Sequence, residues 1–194
     1  MLIFVGRFTH PKRLPLLLRA YARARREHGL RAPLLVWGGF PGEWEGEHPF
    51  SLVRAERIPG VFFSGWRGHD ELPTGLGCAD VFVSPSVGEA FGQVFIEAMA
   101  CGLPVVAAAS GGPLSFVNDD PTAPNGWLVT PDDEAALAAA LAETTTGPTA
   151  PTERARRAAN AVAQVRARFT WQGAARQVVG LYDQVSAPRT RHTR

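Results

Sequence analysis

Apolar residues run along this chain in two rhythms. Short unbroken apolar runs at 2–5, 34–37, 61–63, 81–83, from Val105 onward and at 127–129 read as strands buried on both faces, as in a parallel sheet. Between them lie stretches of helical spacing. Leucines and arginines over 14–28, stopped by Gly29, predict a first long helix, and 51–57 a short one. A helix over 70–78 is expected to be interrupted by Pro73, and another spans 92–101. Ser110-Gly-Gly-Pro113 turns the chain into about one helical turn ending at Phe116. An alanine-rich helix over 134–143 has Asp132 and Asp133 as its caps, and two more helices occupy 152–168 and 171–185. Strands alternating with helices predict an α/β fold. The expected architecture is a doubly wound, Rossmann-like parallel sheet in one domain over 1–185. Residues 144–151 read as a low-complexity linker and 186–194 as a disordered basic tail.

Composition narrows the partners. The 194 residues are 45% hydrophobic and 20% charged with a net charge of +2, which gives no reason to expect nucleic acid. Cys78 and Cys101 sit in apolar stretches and read as buried, reduced thiols. No apolar run approaches the roughly 20 residues of a membrane span, and no cleavable leader pattern opens the chain, so cytoplasm is the expected address. A strand-like run directly after Met1 leads us to expect a domain cut from a longer protein. Lys12 is the single lysine beside many arginines. A compact ammonium suits a phosphate, and the planar guanidinium of Arg7 suits bidentate contact; both follow the first strand.

The richest chemistry lies between the strands at 81–83 and 105. Glu89 follows the first of these strands, Glu97 sits inside the helix, and Gly92 opens that helix, so free N–H groups face the same crevice. The two carboxylates have several readings. A hydrolytic pair would stand about 5–9 Å apart with one kept protonated. Metal ligation would want further His or Asp partners, and acceptance from sugar hydroxyls needs only ionised, well-placed groups. Trp66 and Arg67 end the third strand, where they either stack on a base or form an unliganded rim. Asp119-Asp120 reads as solvated loop. No Gly-x-Gly-x-x-Gly follows the first strand, and the histidines are scattered, with His10 alone near the proposed crevice.

These residues form a recognisable set. Glu89-Ala-Phe-Gly-Gln-Val-Phe-Ile-Glu97, followed by Ala-Met-Ala-Cys-Gly-Leu-Pro-Val-Val-Ala107, resembles the Glu-x7-Glu motif of retaining GT-B glycosyltransferases of family 4. Val5-Gly-Arg7 with Lys12, the stretch Ala79-Asp-Val-Phe-Val-Ser-Pro-Ser86, Gly111-Gly112 and Gly126-Trp-Leu-Val-Thr-Pro131 extend the resemblance over almost the whole chain. It implies the C-terminal, donor-binding domain of such an enzyme, binding a nucleotide-diphosphate sugar and needing an absent N-terminal, acceptor-binding half. Peripheral membrane contact would come through that half, and neither a cofactor nor a metal is expected. Arg7, Lys12 and Glu89 would be catalytic, the two cations holding the diphosphate and Glu89 the transferred sugar. Glu97 would accept from the ribose hydroxyls. Phe91, Gly92 and Gln93 would face sugar and phosphate through their backbone, Gly111 and Gly112 would border the pocket, and Trp66 and Arg67 complete the expected donor site. Ser115 departs from the family pattern at a place that is often acidic, and the loop over 118–125 is longer than usual. A nucleotide-sugar epimerase and a non-catalytic nucleotide-binding or assembly module are the alternative readings.

Overall fold

The computed structural model describes residues 1–186. Six strands form one parallel sheet: β1 (Leu2–Gly6), β2 (Leu34–Gly38), β3 (Val61–Gly65), β4 (Val81–Ser84), β5 (Val105–Ala108) and β6 (Gly126–Val129). Their spatial order is β3-β2-β1-β4-β5-β6, so the chain winds outward from β1 to β3, returns beside β1 as β4, and winds outward again. The reversal between β1 and β4 makes a topological switch point. Loops leaving the carboxyl ends of these two strands must splay apart there, which opens a crevice.

The inner strands β4 and β5 bury both faces, which is why their apolar runs are continuous, whereas edge strand β3 has no buried residue and leaves Phe62 exposed, against the expectation for its run at 61–63. Leu2 and Phe4 of β1 point into one core, beneath helices α1 (Leu14–Glu27) and α5 (Glu134–Thr145). Ile3 points into the other, which includes residues of α3 (Leu72–Gly77), α4 (Gln93–Ala100) and α6 (Ala150–Arg168). The alternation along a strand thus feeds two separate cores. α2 (Pro49–Ala55) lies near α1, and α7 (Trp171–Ser186) has no buried residue. Among the described residues no helix is long and apolar enough to cross a membrane.

Several local expectations are corrected. Pro73 does not interrupt its helix, because α3 begins at Leu72 and places proline in the first turn, where no N–H partner is lost. The linker expected at 144–151 is shorter, because 144–145 end α5 and 150–151 begin α6, leaving 146–149 as the connection. Thr144, Thr145 and Thr146 donate their hydroxyls back to Leu141 O and Ala142 O, and Thr144 and Ala150 are buried. Only Asp133 caps α5, accepting from Ala136 N, while Asp132 turns away to pair with Arg13. Cys78 is exposed at the end of α3 and Cys101 is half-buried. Burial, and then the charge of Glu97, push the Cys101 thiol upward. Phe8, inside the polar turn after β1, is buried against His48 and Phe63. Of the expected basic tail, Ser186 is the last residue of α7, and 187–194 lie outside the described residues.

Candidate active site at the sheet's switch point

The loop after β1 carries Arg7 and Lys12, and its shape is held from several sides. His10 donates its backbone N–H to Glu45 Oε2 at 2.6 Å, and Pro11 O accepts from Val87 N at 2.9 Å. Arg13 donates to both oxygens of Asp132, at 2.7 and 3.3 Å. Arg13 and Asp132 both have positive φ, 52° and 57°, a conformation side chains resist, so this fork joins two strained turns. The bond from Val87 brings the loop after β4 alongside. There Lys12 Nζ donates to Glu89 Oε2 at 2.5 Å, with side chains 17% and 20% exposed. The switch point therefore holds a cation and a carboxylate in direct contact.

Glycine sets where that carboxylate's backbone lies. Gly112 N donates to Glu89 O at 2.7 Å. A Cβ on Gly111 would stand 2.5 Å from Glu89 O, and one on Gly112 would stand 2.3 Å from Phe91 O. The two loops press backbone on backbone, which a side chain would prevent. Gly92 caps α4 at φ 94°, again left-handed. Ser115 donates its hydroxyl to Gly112 O at 2.8 Å and so closes its own turn.

The remaining expected residues fall into two clefts. One, about 280 Å³, opens over the carboxyl ends of β1, β2 and β3 and is lined by Arg7, Trp66, Arg67 and His69, together with Phe40 and Glu43. Phe40 and Trp66 meet edge to face with centroids 5.2 Å apart, forming an exposed aromatic corner. Arg67 donates to Glu71 at 3.2 Å. The other cleft, about 290 Å³, lies between α4 and α7 and is lined by Phe91, Gln93, Glu97, Phe169 and Trp171. The clefts meet where His69 Nε2 lies 3.2 Å from Glu97 Oε1. His69, Phe40 and Glu43 were missed in the sequence. Their one available signal was position, since each follows a strand on the same sheet edge as Arg7 and Glu89.

A doubly wound parallel sheet with cations after β1, acids after β4 and a glycine pair after β5 has the architecture of the C-terminal, Rossmann-like half of a GT-B glycosyltransferase. Comparison with known proteins agrees. The family described as glycosyl transferases group 1 matches residues 1–147, and the chain belongs to that family. It is 38% identical over 188 residues to a D-inositol 3-phosphate glycosyltransferase of Stackebrandtia nassauensis, covering 92% of this chain and 40% of that protein. A protein of the same name from Frankia alni is 36% identical over 195 residues, covering 97% of this chain and 46% of the relative. Among solved structures, sucrose-phosphate synthase from Thermosynechococcus elongatus superposes with a TM-score of 0.80 at 33% identity, over 95% of this chain and 45% of that one. Anabaena HepE, solved in complex with UDP and glucose, gives 0.79 at 26% identity, over 94% of this chain and 47% of that one. The chain spans less than half the length of these relatives.

Proposed function

We propose that this chain is the donor-binding half of a retaining glycosyltransferase of family 4 that takes a sugar from a nucleoside diphosphate. The observation that carries the reading is the Lys12–Glu89 pair at the switch point, the place where a phosphate cation and a sugar-hydroxyl acceptor are needed side by side. In this reading Arg7 and Lys12 receive the diphosphate and Glu89 turns to the transferred sugar. Glu97 accepts from the ribose hydroxyls, and the base enters the corner of Phe40 and Trp66, with Arg67 at its edge. Backbone groups of Phe91, Gly92 and Gln93 face the sugar and phosphates, bordered by Gly111 and Gly112. UDP is the nucleotide we favour, because HepE was solved with UDP.

As the bond from the sugar's anomeric carbon to the diphosphate oxygen breaks, its electron pair leaves with the diphosphate. Fixed cations beside that oxygen stabilise the growing charge more than they stabilise the ground state. The acceptor hydroxyl attacks the same face, and its proton passes to the departing diphosphate. This chemistry assigns charge neutralisation to Arg7 and Lys12 without a metal or other cofactor.

A second, acceptor-binding half completes the enzyme in this proposal, and any membrane contact belongs to it. The chain's share of its relatives' length supports this. So does α7, whose Trp171, Val178, Leu181, Tyr182 and Val185 are exposed. The isolated chain then binds donor weakly and transfers little, at a cytoplasmic address. The test is hydrolysis and transfer from UDP-sugars by the chain alone and joined to an N-terminal half. Turnover by the chain alone at ordinary enzyme rates would contradict the two-half reading.

A further inference from the structure

The contact between His69 and Glu97 adds a polar link at the rim of the sheet between the turn before α3 and helix α4, where the buried residues of α3 and α4 share one core beneath it. His69 stands in the turn between β3 and α3, and Glu97 is 28 residues away in α4. That turn is anchored. Glu71 N donates to Gly68 O at 3.1 Å, and Arg67 reaches Glu71. Leu72 and Leu76 are buried just beyond, and α3 presses so closely on Trp37 that a Cβ on Gly75 would stand 1.9 Å from its ring. The imidazole is therefore delivered from a fixed base although it is itself 80% exposed. A carboxylate oxygen accepts, so the bond places the proton on Nε2 and occupies Oε1, and among the described residues Oε2 has no hydrogen-bond partner. Glu97, on a short helix, lines the cleft between α4 and α7, while His69 lines the nucleotide cleft, so the bond to His69 is what holds the Glu97 carboxylate toward that second space.

We propose that His69 is a positioning residue for Glu97, holding its carboxylate at the mouth of the nucleotide cleft so that it meets the ribose hydroxyls already oriented. This rests on the assignment of Glu97 to the ribose. The gain is pre-organisation. A side chain that is fixed before binding loses less rotamer freedom when the ligand arrives.

The test is a binding cycle on the 194-residue chain with UDP and its 2′-deoxy and 3′-deoxy forms, by isothermal titration. His69→Ala is expected to weaken UDP by roughly three- to ten-fold, the scale of one lost hydrogen bond to a charged group on a solvent-exposed edge. The penalty for removing a ribose hydroxyl is expected to shrink at least two-fold in His69→Ala, because Glu97 is then no longer aimed. In a Glu97→Gln background the same histidine change is expected to cost almost nothing. His69→Gln, whose amide N–H reaches where Nε2 stood, restores most of the UDP affinity, and the melting temperature of all variants stays near that of the parent. Equal losses for UDP and both deoxy forms, additive losses in the double variant, or no effect of His69→Ala would each overturn the inference while leaving donor binding intact. Failure of the parent chain to bind UDP, ADP or GDP would remove the donor-site reading and this inference with it.

Discussion

Lys12 Nζ and Glu89 Oε2 are 2.5 Å apart across 77 residues of sequence, each side chain about four-fifths shielded from solvent. In the free chain they neutralise one another. A diphosphate that takes Lys12 must first loosen it from Glu89, and the freed carboxylate is then available to the sugar. Glu89→Gln is accordingly expected to tighten UDP by a few-fold while depressing transfer in the complete enzyme. Titration with UDP reads the first effect, and weaker binding by Glu89→Gln would oppose it.

Lys12→Ala removes a cation whose value is greatest when the leaving diphosphate is fully charged. In the complete enzyme kcat is expected to fall by about 3 kcal/mol of barrier, roughly a hundred-fold, with a much smaller rise in donor KM. Lys12→Arg restores only part of the rate, since a planar fork does not fill the place of an ammonium. Steady-state kinetics with a UDP-sugar separate these effects, and equal, small changes in kcat and KM would dismiss the assignment.

Gly111→Ala puts a methyl group 2.5 Å from Glu89 O at a φ of 64°. The clash and the backbone strain together should cost about 2 to 4 kcal/mol of stability, visible as a lower urea midpoint, with loss of nucleotide binding. Gly180→Ala is the control, because its Cβ meets nothing within 4 Å in helix α7. It should be neutral, or more stable by about 0.5 to 1 kcal/mol.

Acid sensitivity has an assignable source in α6. The Arg156 side chain, opposed in part by burial and joined by Arg157, holds the Glu153 carboxyl below the ordinary glutamate value of 4.5. The folded state binds that proton less readily than the unfolded chain. Its contribution to stability is therefore full above 4.5 and is lost as pH falls through the lower, folded value. Glu153→Gln should melt slightly earlier at pH 7, with the difference closing as pH falls below 4.5 and through the lower folded value. Thermal melts at several pH values check this, and a gap that stays constant down to pH 3 would count against it.

Much of the scaffold could be read in advance because its physics is local. Strands buried on both faces declare themselves as unbroken apolar runs, as at 81–83, and Asp133 marks the start of α5 through one hydrogen bond to its own helix. At the expected linker only the ends were misplaced, since the hydroxyls of Thr144 and Thr145 bond to a carbonyl of their own helix and look, in sequence, like those of a connection. Phe8 hid in a polar turn because its burial depends on His48 and Phe63, contributed by distant elements. The same reason explains the site. Arg7, Lys12, Glu89 and Glu97 were identifiable singly, but the pairing of Lys12 with Glu89, of Arg13 with Asp132, and of His69 with Glu97 needs the return of the chain beside β1.

The most direct test of the donor-site account is a calorimetric titration of the 194-residue chain with UDP, beside the Glu97→Ala variant. The account predicts one-to-one binding that Glu97→Ala weakens by about ten-fold or more, as expected for a lost charged hydrogen bond. Binding that is the same in both proteins, or no binding of UDP, ADP or GDP to the parent chain, would contradict it.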